Sequence, residues 1–190
     1  MKTVELKIYK FEELSEAAQQ HAIKKWIESE SENGDPLHFF NDYCEEKANE
    51  KGFFDCKFQW SLGYCQGDGL SFSFERFGKL KELFERHTTP KRAAIIADRI
   101  YFNKTGGNDG RYCYAHKNDI EICLDSFNET PNIDRIVEQA NDDLTDIYLE
   151  LCKELEKDGY SEIEYSLSEE NARECIIINE YDFLENGKMY

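Results

Sequence analysis

The sequence is poor in basic residues, in proline and in long apolar runs. It has 23 Lys and Arg against 40 Asp and Glu over 190 residues, a net charge of −17 at pH 7. This balance excludes a simple cationic nucleic-acid binder. No stretch approaches the roughly 18 apolar residues of a membrane helix, and the first residues lack the apolar core of a secretory signal. The composition predicts a cytoplasmic protein that does not bind membranes.

The seven cysteines form no paired motif. Their number is odd, whereas a disulfide framework pairs an even number of cysteines, and the sequence has no Cys-x-x-Cys pair, which a zinc ribbon requires. The nearest approach to a metal motif is Cys113-Tyr-Ala-His116, whose two ends would point to opposite faces of a strand. We therefore expect reduced, mostly buried thiols, no metal ion and no cofactor.

Apolar residues make up 40% of the chain and aromatic residues 14%, enough to build a core. The length predicts one domain over residues 1–190. Two hairpins are predicted, at 53–76 around the turn 66–69 and at 111–127 around 117–119, with single strands at 3–9 and 160–167. Helices are predicted from Ser15 to about Glu30 and over 35–52, 77–86, 90–102, 131–157 and 168–174. The fold class predicted is α+β, a single domain with an antiparallel sheet built from hairpins and helices packed mainly on one face.

The helix predicted over 131–157 carries carboxylates at an unbroken spacing of four. Residues four apart are neighbours on a helix, about 5–6 Å from each other, so these side chains form one winding row. We call the row the acidic ridge, and its members are Asp134, Glu138, Asp142, Asp146, Glu150 and Glu154. Like charges at this spacing destabilise a helix by a few tenths of a kcal/mol per pair. Two interpretations stay open: a solvated face that keeps the protein soluble, or a mimic of the phosphates that a Lys/Arg groove binds.

The basic residues concentrate in residues 76–104, which carry eight of them against three acidic residues. This basic island consists of Arg76, Lys79, Lys81, Arg86, Lys91, Arg92, Arg99 and Lys104. It could bind an anion or pair, within the fold, with the acidic tail of the chain over residues 131–190. We favour pairing, because the chain as a whole is so acidic.

Side chains for hydrolytic or transfer chemistry are sparse. None of the four histidines lies in a nucleophile motif of known spacing. Asp68 and Asp109 lie in glycine-rich turns, where a catalytic carboxylate could sit, but Asp-Gly is also what a tight turn requires. The loop 105–110 lacks the Gly-Lys-Ser/Thr ending of a phosphate-binding loop. We therefore predict no enzyme; an enzyme would need Asp68, Asp109 and a histidine to meet in one cleft.

Three stretches of the sequence resemble a known family. They are KIYKFEELSEAAQQHAIKKW (7–26), WSLGYCQGDGLSF (60–72) and NEYDFLENGKMY (179–190). In these stretches the chain resembles small acidic proteins encoded by bacteriophages and prophages, labelled hypothetical or antitoxin-like. The resemblance implies a phage-borne accessory protein in a bacterial cytoplasm. Small acidic phage proteins outside the virion often inhibit host defence or host nucleic-acid enzymes, several of them by resembling DNA.

The ridge and the resemblance together predict a non-enzymatic inhibitor. Its partner would be a host protein with a basic nucleic-acid-binding groove, such as a CRISPR effector or a restriction enzyme, and it would not bind nucleic acid itself. The alternative is a protein–protein interaction module, an antitoxin or assembly partner, that binds through hairpin aromatics at Trp60 and through Asp68. A homodimer also stays open.

Overall fold

The computed structural model describes residues 6–107, 113–114, 119–125 and 131–190. Helices and short antiparallel strand pairs make up the fold, which is α+β, as the sequence predicts. In chain order the elements are β1 (Tyr9–Lys10), α1 (Glu16–Asn33), α2 (Phe40–Lys51), β2 (Phe53–Phe54), β3 (Lys57–Ser61), β4 (Gly69–Ser73), β5 (Arg76–Phe77), α3 (Leu80–Glu85), α4 (Pro90–Ala97), β6 (Ile100–Thr105), β7 (Ile120–Leu124), α5 (Pro131–Ser166), α6 (Glu169–Ile178) and β8 (Asp182–Phe183). Among the residues described, no helix combines the length and the apolar character needed to cross a membrane.

Contacts divide the chain into two units. Met1–His38 with Tyr160–Tyr190 forms what we call the terminal unit, and Phe39–Gly159 forms the central unit. The single domain over residues 1–190 stays a prediction, because a division by contacts does not test independent folding.

The terminal unit packs α1 against α6. Both helices begin at a predicted N-cap serine, which is confirmed: the Ser15 hydroxyl accepts a hydrogen bond from the backbone N–H of Ala18 at 3.3 Å, and Ser168 accepts one from Asn171 at 3.1 Å. α6 extends to Ile178, beyond its predicted end at residue 174. The core consists of Phe11, Leu14, Ala18, Ala22, Ile23, Ala172, Ile176 and Phe183.

A small sheet covers part of this core. β1 pairs antiparallel with β8, Tyr9 facing Phe183, and Met189 forms a further bridge to Phe183 on its other side. The turn between β8 and residue 189 contains Gly187 at φ +81°, in agreement with the predicted Asn-Gly turn. The predicted strand at 3–9 is wrong over 6–8, which are not paired in a strand, and residues 1–5 lie outside the described residues.

The first predicted hairpin, in the central unit, is confirmed. β3 and β4 pair antiparallel in the register Phe58↔Phe72 and Trp60↔Leu70. Asp55 has a positive φ of 57° and interrupts the strand, so that β2 pairs separately with β5. The alternation of apolar residues predicted the strands but not this break in the backbone.

The second predicted hairpin is confirmed in one of its strands, Ile120–Leu124 (β7), whereas its pairing with residues 111–116 stays a prediction because most of that segment lies outside the described residues. β7 pairs antiparallel with β6, a segment whose first residues were predicted to continue a helix to residue 102. α4 ends at Ala97 because Ile100–Thr105 forms its hydrogen bonds with β7 instead. Of the predicted partner strand at 111–116, only residues 113–114 are described, and they are not in a strand. Ser73 bridges to Gly106, which links the β3–β4 pair to β6.

α2 begins later than predicted. Residues 36–39 form a turn, closed by a hydrogen bond of 3.2 Å from His38 N to Asp35 O, and the helix starts at Phe40. Phe39, expected on the apolar side, is 72% exposed. Gly52 ends α2 in the left-handed conformation at φ +104°, as predicted.

α5 is longer than predicted, at 36 residues, and contributes to both units. The predicted end at Gly159 and the predicted strand over 160–167 are both wrong. Gly159 is buried inside the helix, where a Cβ would collide with Leu62 and lie 2.8 Å from Cζ of Phe40. This glycine therefore allows close packing and does not stop the helix.

Candidate functional site

The acidic ridge lies on a helix that is firmly packed on its opposite side. Ala140, Leu144, Tyr148 and Leu155 of α5 are all completely buried in the central unit. All six carboxylates of the ridge are exposed to solvent. From Asp134 to Glu154 the helix rises about 30 Å, so the exposed charges follow one another roughly every 6 Å. The helix backbone thus holds the charged row in place.

Most of the ridge is not neutralised by the residues that the structure describes. Glu154 pairs with Lys51 at 3.6 Å. Among the described residues, the other five members form no ion pair. The neighbouring Asp143, which is not part of the ridge, is instead neutralised by Arg86 and faces His87, each at 3.1 Å. The structure thus separates a paired carboxylate from an unpaired row on the same helix.

The ridge winds around α5. Each step of four residues turns about 40° around the helix axis, so the row turns about half-way round between Asp134 and Glu154. A partner that approaches from one side therefore meets three or four consecutive members at once. Asp142, Asp146 and Glu150 form the middle of the row and lie within about 80° of one another.

A hollow of about 410 Å³ adjoins the start of the ridge. Asp134 and Glu138 form one wall with Val137, and Tyr101 and Glu121 of the β6–β7 pair line the other. Sequence reasoning missed this hollow because it placed Tyr101 in a helix over 90–102, whereas Glu121 was predicted in a strand but not beside α5. The β-branched and aromatic residues of IYFNKT (100–105) were the sequence signal that could have identified a strand there.

The basic island is largely engaged within the fold, but the favoured pairing with the acidic tail is seen only for Arg86 with Asp143 among the described residues. Five of its eight side chains have partners: Arg76 with Asp55 at 3.9 Å, Lys79 with the backbone oxygen of Glu50 at 2.6 Å, Lys81 with Glu85 at 3.5 Å, Arg86 with Asp143 at 3.1 Å and Lys104 with Asp119 at 2.9 Å. Only Arg86 among these contacts α5. Among the described residues, the basic island therefore forms no ion pair with the ridge, although both belong to the central unit.

Trp60 and Asp68, the alternative binding residues, both form hydrogen bonds with other residues of the central unit. The Trp60 indole donates a hydrogen bond to Asn41 at 2.9 Å. Asp68 accepts hydrogen bonds from the Ser61 hydroxyl and the Cys65 backbone N–H, each at 2.9 Å, so it stabilises the turn. Asp109, the other half of the proposed catalytic pair, lies outside the described residues.

The hairpin aromatics belong mainly to the core. Phe53, Phe72 and Phe74 are fully buried, whereas Phe54, Phe58 and Trp60 are half-buried. Ring centroids of Phe53 and Phe74 are 5.0 Å apart, and those of Phe53 and Phe72 are 5.3 Å apart. These six rings therefore present no exposed platform on which bases could stack.

The cysteines are all free thiols, but fewer are buried than predicted. Only Cys44 and Cys152 are buried, and Cys65 is exposed. Burial raises the pKa of the Cys44, Cys56 and Cys152 thiols to about 12. Within the part of the chain that the structure describes, no group of three or more potential ligands could hold a metal ion. His116 of the Cys113 motif lies outside that part.

No protein-family model, no curated protein and no solved structure matches this chain. The resemblance to phage-encoded acidic proteins therefore stays a prediction. The acidic ridge is the candidate site on geometric grounds, because its charges are exposed, regularly spaced and mostly without a counter-charge from the described part of the chain.

Proposed function

We propose that this protein is a non-enzymatic inhibitor that presents the acidic ridge to a basic nucleic-acid-binding groove of a host defence complex. The observation that carries the proposal is the row of six exposed carboxylates on a packed helix, of which only Glu154 pairs with a described cation. The protein occupies the groove in place of nucleic acid and does not act on nucleic acid itself.

The spacing of the ridge supports this proposal. Carboxylates follow one another about every 6 Å along α5, whereas phosphates of one DNA strand follow every 3.4 Å or so. The ridge therefore matches about every second phosphate of one strand. A groove of Lys and Arg side chains, which are long and adjustable, can pair with charges at that interval.

The net charge supports the same mode of binding. At −17, the protein is attracted to a basic cleft over a distance that shrinks as salt is added. Long-range attraction speeds association more than it strengthens the final complex. We therefore expect fast, salt-sensitive binding. The resemblance to phage proteins suggests a bacterial cytoplasm as the place where such a partner is met.

The test is a pull-down from phage-sensitive bacterial lysate at about 50 mM and about 300 mM salt with nuclease added. It is followed by DNA cleavage assays with the captured enzyme. We expect a nucleic-acid enzyme that is recovered at low salt only and is inhibited in competition with DNA. The ridge variant Asp142→Asn/Asp146→Asn/Glu150→Gln should inhibit about tenfold less well or worse.

A matched control variant removes the same number of negative charges at positions outside the ridge. Glu45, Glu46 and Glu75 are exposed carboxylates of the central unit outside α5. The variant Glu45→Gln/Glu46→Gln/Glu75→Gln should keep inhibition within about twofold. Equal loss in both variants would mean that only net charge matters and would contradict a ridge site. A partner retained at high salt would favour the interaction module at Trp60 instead.

A further inference from the structure

A groove of about 370 Å³ lies in the terminal unit, and none of the ridge residues lines it. One wall is a single face of α1 and the other is the C-terminal hairpin. The residues that line it are Ala22, Lys25, Trp26, Ser29, Glu30, Tyr181, Phe183, Gly187 and Met189. This volume lies within the range of pockets that bind small groups.

The groove combines aromatic surface with polar groups to which no described residue bonds. Trp26 and Tyr181 are half-buried and pack against the core, and Phe183 beside them is buried. Among the described residues, the Trp26 indole, the Ser29 and Tyr181 hydroxyls and the Glu30 carboxylate form no hydrogen bond or ion pair. A pocket with an apolar body and a few open polar groups is the usual form of a binding site.

The charge in the groove is negative. Its one cation, Lys25, is bound to Glu28 with 2.6 Å between Nζ and Oε2. Glu30 has no such partner in the part of the chain that the structure describes. An anionic occupant would face an unneutralised carboxylate, and a purely apolar occupant would bury that carboxylate without compensation. The groove therefore complements a cation with an apolar stem.

We propose that this groove binds an arginine side chain of a protein partner. The methylene stem would pack on the rings and Met189, and the guanidinium would lie against an aromatic face while it pairs with Glu30. Arginine suits the site better than lysine, because a flat guanidinium stacks on a ring and donates two hydrogen bonds to one carboxylate.

The terminal unit already contains an arginine–aromatic contact of this kind. The Arg173 guanidinium lies 5.4 Å from the ring centroid of Phe11. In the central unit, Arg76 lies 4.4 Å from the ring of Phe54 and 3.9 Å from a carboxylate oxygen of Asp55. Arg76 thus combines a ring and a carboxylate in the way proposed for the groove.

The test titrates the whole protein with N-acetyl-L-arginine N-methylamide and follows the indole N–H of Trp26 by NMR. Trp60, in the central unit, serves as the internal reference. The citrulline analogue has the same shape without the charge, and the leucine analogue supplies apolar surface alone. We expect a saturable shift of the Trp26 signal with arginine, and binding weaker by about fivefold or more with either analogue.

Three variants distinguish the groove from general attraction to an acidic protein. Glu30→Gln should weaken arginine binding by about fivefold or more, and Glu28→Gln should weaken it too because Lys25 loses its partner. Glu32→Gln removes an exposed charge from the same helix outside the groove and should leave binding within about twofold. Equal binding of the citrulline analogue, tighter binding of the leucine analogue, no saturation, or an equal loss in Glu32→Gln would each overturn the proposal.

Discussion

The hydroxyl of Tyr148 binds both backbone polar groups of Phe72. It accepts a hydrogen bond from Phe72 N at 3.1 Å and donates one to Phe72 O at 2.8 Å, in a fully buried position. Tyr148 lies on α5 and Phe72 on β4, and their ring centroids are 4.6 Å apart. The Tyr148 side chain thus forms the two hydrogen bonds that a neighbouring strand would otherwise form with the backbone N–H and C=O of Phe72.

Removal of this hydroxyl should destabilise the protein. Tyr148→Phe leaves a buried N–H and a buried carbonyl without a partner, which costs about 1–3 kcal/mol in the free energy of unfolding. Urea unfolding followed by circular dichroism measures the change. Tyr165→Phe is the control on the same helix, because its exposed hydroxyl makes only a long hydrogen bond of 3.3 Å to Glu174. Equal stability of the two variants would contradict the importance of the Tyr148 contact.

Gly159 should not tolerate alanine, although alanine is the better helix former. The propensity gain of about 1 kcal/mol is opposed by a Cβ that collides with Leu62 and crowds Phe40. We expect Gly159→Ala to lower the thermal midpoint. Gly63→Ala, where the nearest atom to the new Cβ is Cys65 Sγ at 3.8 Å, should leave it nearly unchanged. A more stable Gly159→Ala protein would show that the packing can relax.

The acidic ridge should reduce the stability of the helix that carries it. Neutralising Asp142, Asp146 and Glu150 together removes repulsion of a few tenths of a kcal/mol per neighbouring pair. We expect the free energy of unfolding to rise in the triple variant, with a larger gain at low salt than at high salt. Salt titrations of the urea midpoint test this. A gain that does not depend on salt would assign the effect to helix propensity instead.

The exposed thiol of Cys65 should be less reactive than its exposure suggests. Cys65 Sγ lies 3.1 Å from Asp68, and the hydrogen bond to this carboxylate, followed by its charge, raises the pKa of the thiol. A higher pKa means less thiolate at neutral pH, and the thiolate is the reactive form. Asp68→Asn should lower the pKa of the Cys65 thiol. Alkylation of Cys65 by iodoacetamide should therefore be faster in this variant than in the unchanged protein at pH values below that pKa.

Cys175 serves as the control in that experiment. Burial is the largest cause of the raised pKa of the Cys175 thiol, and Asp68 does not contribute to that shift. Mass spectrometry of the labelled peptides between about pH 7 and pH 9 gives both rates from one sample. A Cys65 rate that stays the same in Asp68→Asn would show that the carboxylate does not control this thiol.

Local sequence signals predicted the ends of helices correctly where the capping residue interacts with the adjoining helical turn. Ser15 and Ser168 cap helices that start next to them, and Gly52 ends α2, because these interactions involve residues within four positions of one another. The same reasoning failed at Gly159, where glycine lies inside α5. Its neighbours Phe40 and Leu62 are about a hundred positions away in sequence, so no local pattern contains that contact.

The sequence alone determined the α+β class, the first hairpin and the spacing of the acidic ridge, because periodicity and turn residues act over short distances. The tertiary structure determined which carboxylates form ion pairs and which have no cation beside them among the described residues. Asp143 meets Arg86 and Glu154 meets Lys51, whereas Asp142 meets no described cation. It also brought Trp26 and Tyr181 to one groove from opposite ends of the chain. Such pairings depend on how distant segments pack, and packing is set by the whole core.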